Sequence, residues 1–182
     1  MVRHLPNLLS ITRLLASPFV FFLLWKQYWG WGLWLLLFAA LTDTLDGFIA
    51  RRYGVASHSG EILDPIADKA LLSGAFLAMV LNGSIDKWLA ILVIGRDVLI
   101  VLLGGALIRA TGRRFPPSIW GKASTILQAL FVLALVGTLA SAVPSALLTT
   151  LKWATAALTA WSGIDYARRA LFAKPMGGYN RA

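Results

Sequence analysis

The chain has no cysteine, which excludes disulfides and thiolate metal sites and leaves the redox compartment unreadable from cysteine usage. Histidine is almost as scarce. His4 and His58 are the two present, and no helical spacing joins them into a zinc centre. A bound metal here therefore needs oxygen ligands, which points to magnesium, manganese or calcium. Acids are few, eight Asp and Glu against seventeen Lys and Arg. Repeats, low-complexity tracts and linkers are absent, and turn-rich pieces are confined to NGSID at 82–86, ATGRRFPPS at 110–118 and the tail KPMGGYNRA. In their place is apolar sequence: 58% of the 182 residues are hydrophobic, gathered in runs, with mean hydropathy +0.73.

A membrane span takes roughly 20 apolar residues. Six such spans are expected, at 8–26, 31–51, 62–82, 87–109, 122–142 and 145–171. They predict an all-α integral membrane protein with one domain over 1–182 and no separate soluble unit. The start, MVRHLPNLLSITRLLASPFVFFLLW, has the basic-then-apolar order of a signal peptide. Arg13 interrupts the run and no small-x-small cleavage site follows, so a retained first helix is expected.

The formal charge is +9. Arg3 and Arg13, Arg51 and Arg52, Arg109, Arg113, Arg114 and Lys122, then Arg168, Arg169, Lys174 and Arg181 all fall on one side of six spans. The other side has Lys26, Lys87 and Lys152 beside Trp25, Trp29, Trp31 and Trp88, the pattern of an aromatic belt. The positive-inside rule then predicts a multi-pass protein of a bacterial inner or cell membrane with both termini cytoplasmic. The basic excess suits topology and anionic membrane lipids rather than nucleic acid.

Against that background four aspartates stand out. Asp43 and Asp46 are i,i+3 near the end of the second span, and Asp64 and Asp68 are i,i+4 near the start of the third, so each pair shares a helix face. An ionised carboxylate at a membrane helix centre costs about 2.5 to 3.5 kcal/mol on insertion scales. Divalent cations are the simplest compensation, and two metals between helices suit displacement at phosphorus. The expectation is a cytoplasm-facing metal site between helices 2 and 3, holding two Mg2+ or Mn2+ ions. Gly47 and Gly60 let a bulky polar group approach the backbone, and Arg51 is placed to pair with a phosphate.

The stretch reads D-x-x-D-G-x-x-A-R, eight residues, then G-x-x-x-D-x-x-x-D, fixed by Asp43, Asp46, Gly47, Ala50, Arg51, Gly60, Asp64 and Asp68. It resembles the signature of the CDP-alcohol phosphatidyltransferase family. The likeness continues through PNLLSITR, Arg96-Asp97 and GKASTILQ at 121–128. It implies that a CDP-linked lipid, usually CDP-diacylglycerol, is attacked by an alcohol hydroxyl with release of CMP. It also implies that Asp43, Asp46 and Asp64 are mainly metal ligands, that Asp68 completes the metal site and acts as the general base, and that Gly47, Ala50, Arg51 and Gly60 border the cytidine and diphosphate. Family members are typically homodimers.

Members that use glycerol 3-phosphate tend to have Ala-Arg-Glu in the fourth span and Gly-Lys-x-Lys-Thr at the fifth. This chain has Gly95-Arg96-Asp97 and Gly121-Lys122-Ala123-Ser124-Thr125, with Ser124 in place of the second lysine, which removes a cation from the expected phosphate pocket. The pattern resembles more closely the members that take phosphatidylglycerol, and that acceptor is favoured over glycerol 3-phosphate. Arg13, Arg96 and Lys122 are the acceptor-binding candidates. Each also has a plainer reading: topology for Arg13, an ion pair with Asp97 for Arg96, a membrane anchor for Lys122. Asp165 with Arg168 or Arg169 reads as a helical ion pair, Lys69 as a residue that tunes the site or snorkels, His58 as a loop residue and Glu61 as a helix-dipole partner. A cation- or proton-coupled transporter would also bury acids but should show inverted repeats. An aspartate-rich membrane prenyltransferase would lack the DG-x-x-AR continuation, and a non-catalytic scaffold has no use for four buried acids.

Overall fold

A computed structural model describes the backbone of residues 5–53, 60–111, 118–140 and 145–171, and the side chains of 12–42, 69–106, 108, 118–140 and 147–171. These residues form six helices: α1 Leu5–Trp25, α2 Trp29–Tyr53, α3 Gly60–Leu81, α4 Lys87–Thr111, α5 Ile119–Ala140 and α6 Ser145–Leu171. Each expected span coincides with one helix, with ends displaced by three residues or fewer. No strand occurs among the described residues. Lys87–Ala106 and Ile119–Ala140 are long and apolar enough to cross a membrane, and Thr12–Trp25, Trp29–Thr42 and Lys69–Leu81 are shorter apolar helical stretches.

The helices are apolar on the outside as well as the inside. Leu15, Phe19, Trp31, Trp34, Ile91, Val101, Leu102 and Ile126 are all more than 60% exposed, a surface that belongs against lipid rather than water. Because lipid tails are as apolar as leucine, packing and internal hydrogen bonds, more than the hydrophobic effect, must hold such helices together. The core has the required density. Val20 and Leu24 of α1, Phe76 and Met79 of α3, Leu89 and Val93 of α4, and Val132 and Val136 of α5 are fully or almost fully buried in one cluster. Phe76 and Phe131 stack across α3 and α5 at 6.2 Å between ring centroids.

Contacts at one end of the bundle establish the helix directions. Asn82, just past α3, donates from Nδ2 to the carbonyl of Leu24 at the end of α1 at 2.7 Å, so α1 and α3 finish together. Lys152 near the start of α6 meets Asp86, just ahead of α4, at 3.0 Å, and Trp88 stacks on Trp153 at 5.5 Å. Leu135, toward the end of α5, lines a cavity there with Ser84 and Lys152. The helices thus alternate in direction, and this end holds Lys26, Lys87 and Lys152 with their tryptophans. Lys26 lies 4.6 Å from the centroid of Trp25. The opposite end holds the end of α2, the start of α3, the start of α5 and the end of α6, where Arg169 pairs with Asp165 at 3.0 Å as the i,i+4 spacing predicts.

α2 and α3 are antiparallel as expected. Among the described residues they do not touch each other; α1 and α5 pack against both. The α1–α2 turn is tight: Gln27 has a φ of 62°, and a Cβ on Gly32 would come within 2.7 Å of Leu24 Cδ2. Asn82 also accepts from the Ser84 N–H through Oδ1 at 3.0 Å. One side chain therefore closes the α3–α4 turn and caps α1.

Asn82→Ala removes one of the two donors to the Leu24 carbonyl, the Gln27 N–H remaining at 3.0 Å, and is expected to lower stability in detergent by about 0.5–1.5 kcal/mol. Gln27→Gly relieves a left-handed conformation costing roughly 1–2 kcal/mol, partly offset by unfolded-chain entropy, and should be neutral or stabilising. Thermal unfolding of the two variants checks both, and equal melting temperatures would refute the capping role.

Candidate active site

The helical register places Asp43 and Asp46 within one turn of each other on the last part of α2, and Asp64 and Asp68 one turn apart at the start of α3, both at the arginine-rich end. Their side chains, and those of Gly47, Ala50, Arg51 and Gly60, lie outside the described residues. Among the described residues no three Asp, Glu or His gather into a cation site. An all-oxygen donor set is the chemistry that hard divalent cations take.

Next to these turns, toward the membrane centre, lies a cavity of about 210 Å³. Ala39 and Ala40 line it one turn before Asp43, and Leu71 and Leu72 line it one turn after Asp68. Ile126, Ala129, Val132 and Leu133 of α5 close another side. The one charged side chain in this apolar wall is Arg13, only 3% exposed. The packing of α1 between α2 and α3 carries it there.

Arg96 is the second buried cation, 8% exposed, and its hydrogen bonds join three helices. Nη1 donates to its neighbour Asp97 at 2.6 Å. Nε and Nη2 both donate to Ser162 Oγ of α6, at 3.2 and 2.7 Å, and Nη2 also reaches the Gly121 carbonyl of α5 at 3.4 Å. Asp97 further pairs with Lys69 Nζ of α3 at 3.7 Å. Lys69 directly follows Asp68, so this polar layer connects the acid-bearing turn of α3 to α4, α5 and α6. The pair with Asp97 is present, as the plainer sequence reading has it.

The start of α5 is built for this contact. Ser118, 2% exposed, caps it by accepting from the Gly121 N–H through Oγ at 2.9 Å, while its carbonyl accepts from Lys122 at 3.1 Å. A Cβ at Gly121 would lie 3.1 Å from Arg96 Nη2, a tight contact that the guanidinium could accommodate only by shifting a few tenths of an ångström. Lys122, the next residue, is exposed.

Ser124 departs from expectation. It is fully buried, facing α6, where it hydrogen-bonds Thr159 at 3.1 Å and accepts from Gln128 Nε2 at 3.2 Å; Gln128 Nε2 also donates to Thr159 at 2.9 Å. Two residues past Lys122 a helix has turned by about 200°, so this position points into the α5–α6 contact and not toward a phosphate pocket. Its hydroxyl is part of the interhelical bonding that apolar surroundings favour. Ser162, Thr159 and Ser118 are hydrogen-bonding partners that the sequence signals weakly: the small Ser162-Gly163 pair in a bulky span, and a serine three residues before a helix's first turn closes.

An all-helical bundle with lipid-suited walls and an acidic signature toward one end is the architecture of a membrane-protein family. Residues 3–161 match the CDP-alcohol phosphatidyltransferase family, and the chain belongs to it. It is 34% identical over 192 residues to a probable phosphatidylglycerophosphate synthase of Mycobacterium tuberculosis, spanning 97% of this chain and 85% of the relative. It is 37% identical over 137 residues to the CDP-diacylglycerol–glycerol-3-phosphate 3-phosphatidyltransferase of Aquifex aeolicus, 71% of this chain and 74% of that one. A cardiolipin synthase (CMP-forming) of Streptomyces coelicolor is 30% identical over 133 residues, 68% and 60% of the two chains. Nothing in these matches supports a transporter.

Ser124→Lys would bury an ammonium in the α5–α6 contact and break the triad with Gln128 and Thr159. The expected outcome is a loss of stability on the order of 3 kcal/mol or more, with no gain in use of glycerol 3-phosphate. A well-folded Ser124→Lys protein with improved turnover of that acceptor would overturn the burial argument.

Proposed function

We propose that this protein is a divalent-metal-dependent phosphatidyltransferase, moving a phosphatidyl group from CDP-diacylglycerol to a glycerol-based acceptor and releasing CMP. The observation that carries the reading is the family match across residues 3–161, which encloses the eight-position aspartate signature on two antiparallel helix ends. Asp43, Asp46, Asp64 and Asp68 would hold two Mg2+ or Mn2+ ions, which supply charge neutralisation of the diphosphate. Asp68 takes the proton of the acceptor hydroxyl, whose oxygen attacks the phosphorus bearing the diacylglycerol. The bond to the second phosphate breaks and CMP departs with its electron pair. Gly47, Ala50, Arg51 and Gly60 border the nucleotide. The apolar cavity with Arg13 in its wall has the polarity of a lipid's first methylenes beside its phosphate.

Glycerol 3-phosphate is the acceptor this reading prefers. A relative that spans 97% of this chain is named probable phosphatidylglycerophosphate synthase, for the product that glycerol 3-phosphate gives, and with Ser124 turned toward α6 the missing lysine no longer argues for a less charged acceptor. Phosphatidylglycerol is the second reading, supported by the Arg96-Asp97 pair and the cardiolipin synthase relatives. The acceptor side of the site falls to Arg13, Arg96 and Lys122, in direct contact or as support for one. All six helices are spans, both termini and the site are cytoplasmic, and the protein is a homodimer in this reading.

Asp43→Asn or Asp64→Asn should lower CMP release by more than about a hundredfold without unfolding the protein, because even outer partners of a metal ligand are worth roughly 10- to 100-fold. Excess chelator should do the same and added Mg2+ or Mn2+ restore it; full activity in chelator would refute the metal. Mass spectrometry of the lipid made from CDP-diacylglycerol with each acceptor decides between them. For topology, a cysteine at Ser84 should react with an impermeant thiol reagent from outside intact cells, and one at Leu171 only after permeabilisation. The reverse labelling would put the aspartates on the wrong face.

A further inference from the structure

A guanidinium has five N–H donors. In Arg96 both N–H groups of Nη2, that of Nε and one of Nη1 are used by Ser162, Gly121 and Asp97, which leaves a single donor on Nη1. The bidentate fork with which arginine grips a phosphate is therefore already taken. That fork holds Ser162 of α6 through its two shorter bonds and reaches the first turn of α5 through a single longer one, 3.4 Å to the Gly121 carbonyl; the other side of this turn is fixed by the Ser118 cap. The residue carried out of the turn is Lys122, exposed, with no side-chain partner among the described residues. Arg96 thus has the bonding of a strut and Lys122 the freedom of a ligand.

We propose that Arg96 is a positioning residue that acts through Lys122, that Ser162 of α6 is its principal anchor, and that Lys122 alone of the two meets the acceptor's phosphate. This rests on the proposed assignment of this end of α5 to the acceptor. Ser162 accepts two of the four bonds, including the 2.7 Å one, and a Cβ at Gly121 would crowd Nη2 at 3.1 Å. Lysine in place of Arg96 keeps the charge but cannot span Asp97, Ser162 and Gly121 at once.

The test is a double-mutant cycle on acceptor kinetics with saturating CDP-diacylglycerol, run with glycerol 3-phosphate and with phosphatidylglycerol. Lys122→Ala should raise the acceptor KM about tenfold and Ser162→Ala about three- to fivefold, with kcat changing by less than about twofold in each. In the Lys122→Ala background, Ser162→Ala should add nothing further to KM. Arg96→Lys should behave like Arg96→Gln. Melting temperatures in detergent accompany each variant, so that a fold defect registers separately from a change in KM. Equal multiplicative effects of Ser162→Ala in both backgrounds would overturn the proposal. So would an unchanged KM in Ser162→Ala, an unchanged KM in Lys122→Ala, or an Arg96→Lys enzyme with wild-type KM. Acceptor-dependent CMP release by the wild type separates these outcomes from failure of the enzyme assignment itself, which would leave no release with either acceptor.

Discussion

A charge enclosed in an apolar bundle must find its counterparts inside the protein, and Arg96 imposes that condition on three helices at once. Its partners are a carboxylate on its own helix, a hydroxyl on α6 and a carbonyl on α5. Removing any of them leaves a donor with nothing to bond, since lipid offers no replacement. The consequences spread outward. A side chain at Gly121 would crowd the guanidinium, Ser118 must cap α5 close to it, and Ser162 must face inward. Apolar packing then fills the rest.

The two ends of the bundle are held by different means. At the lysine and tryptophan end the ion pair of Asp86 with Lys152, beside stacked Trp88 and Trp153, is peripheral, and an exposed pair of that kind contributes modestly to stability. The part-buried bond of Asn82 to Leu24 adds to it. At the other end the polar contacts are interior, and the cavity with Arg13 lies between α2 and α3. The rigid scaffold is thus concentrated beside the proposed chemistry, where a misplaced ligand matters most.

Much of this was legible before any coordinates. Long apolar runs broken by short turns admit few alternatives to helices, which is why all six appear within three residues of expectation. The aspartate signature was legible because its spacing is a local property of two helices. The rotation of a helix about its own axis is not local. α5 is apolar on nearly every side, so nothing in GKASTILQ said that Lys122 faces outward while Ser124 and Gln128 face α6. For the same reason Arg96 read equally well as a ligand or an ion pair, and Ser162 carried almost no signal. Among the described residues α2 and α3 do not meet, and that was hidden too, because the short loop between them suggests direct neighbours whereas α1 packs against both.

The Asn82 contact also bears on how the chain is assembled in a membrane. The Leu24 carbonyl at the end of the first helix has a local donor in the Gln27 N–H at 3.0 Å and gains a second from a residue 58 positions later. The local bond can form as soon as the turn does, whereas the second waits for α3. Docking of α3 against α1 therefore adds a long-range check to an end that is already closed: in a chain whose third helix ran the other way, Asn82 would sit at the far end of the bundle and the Leu24 carbonyl would keep a single donor.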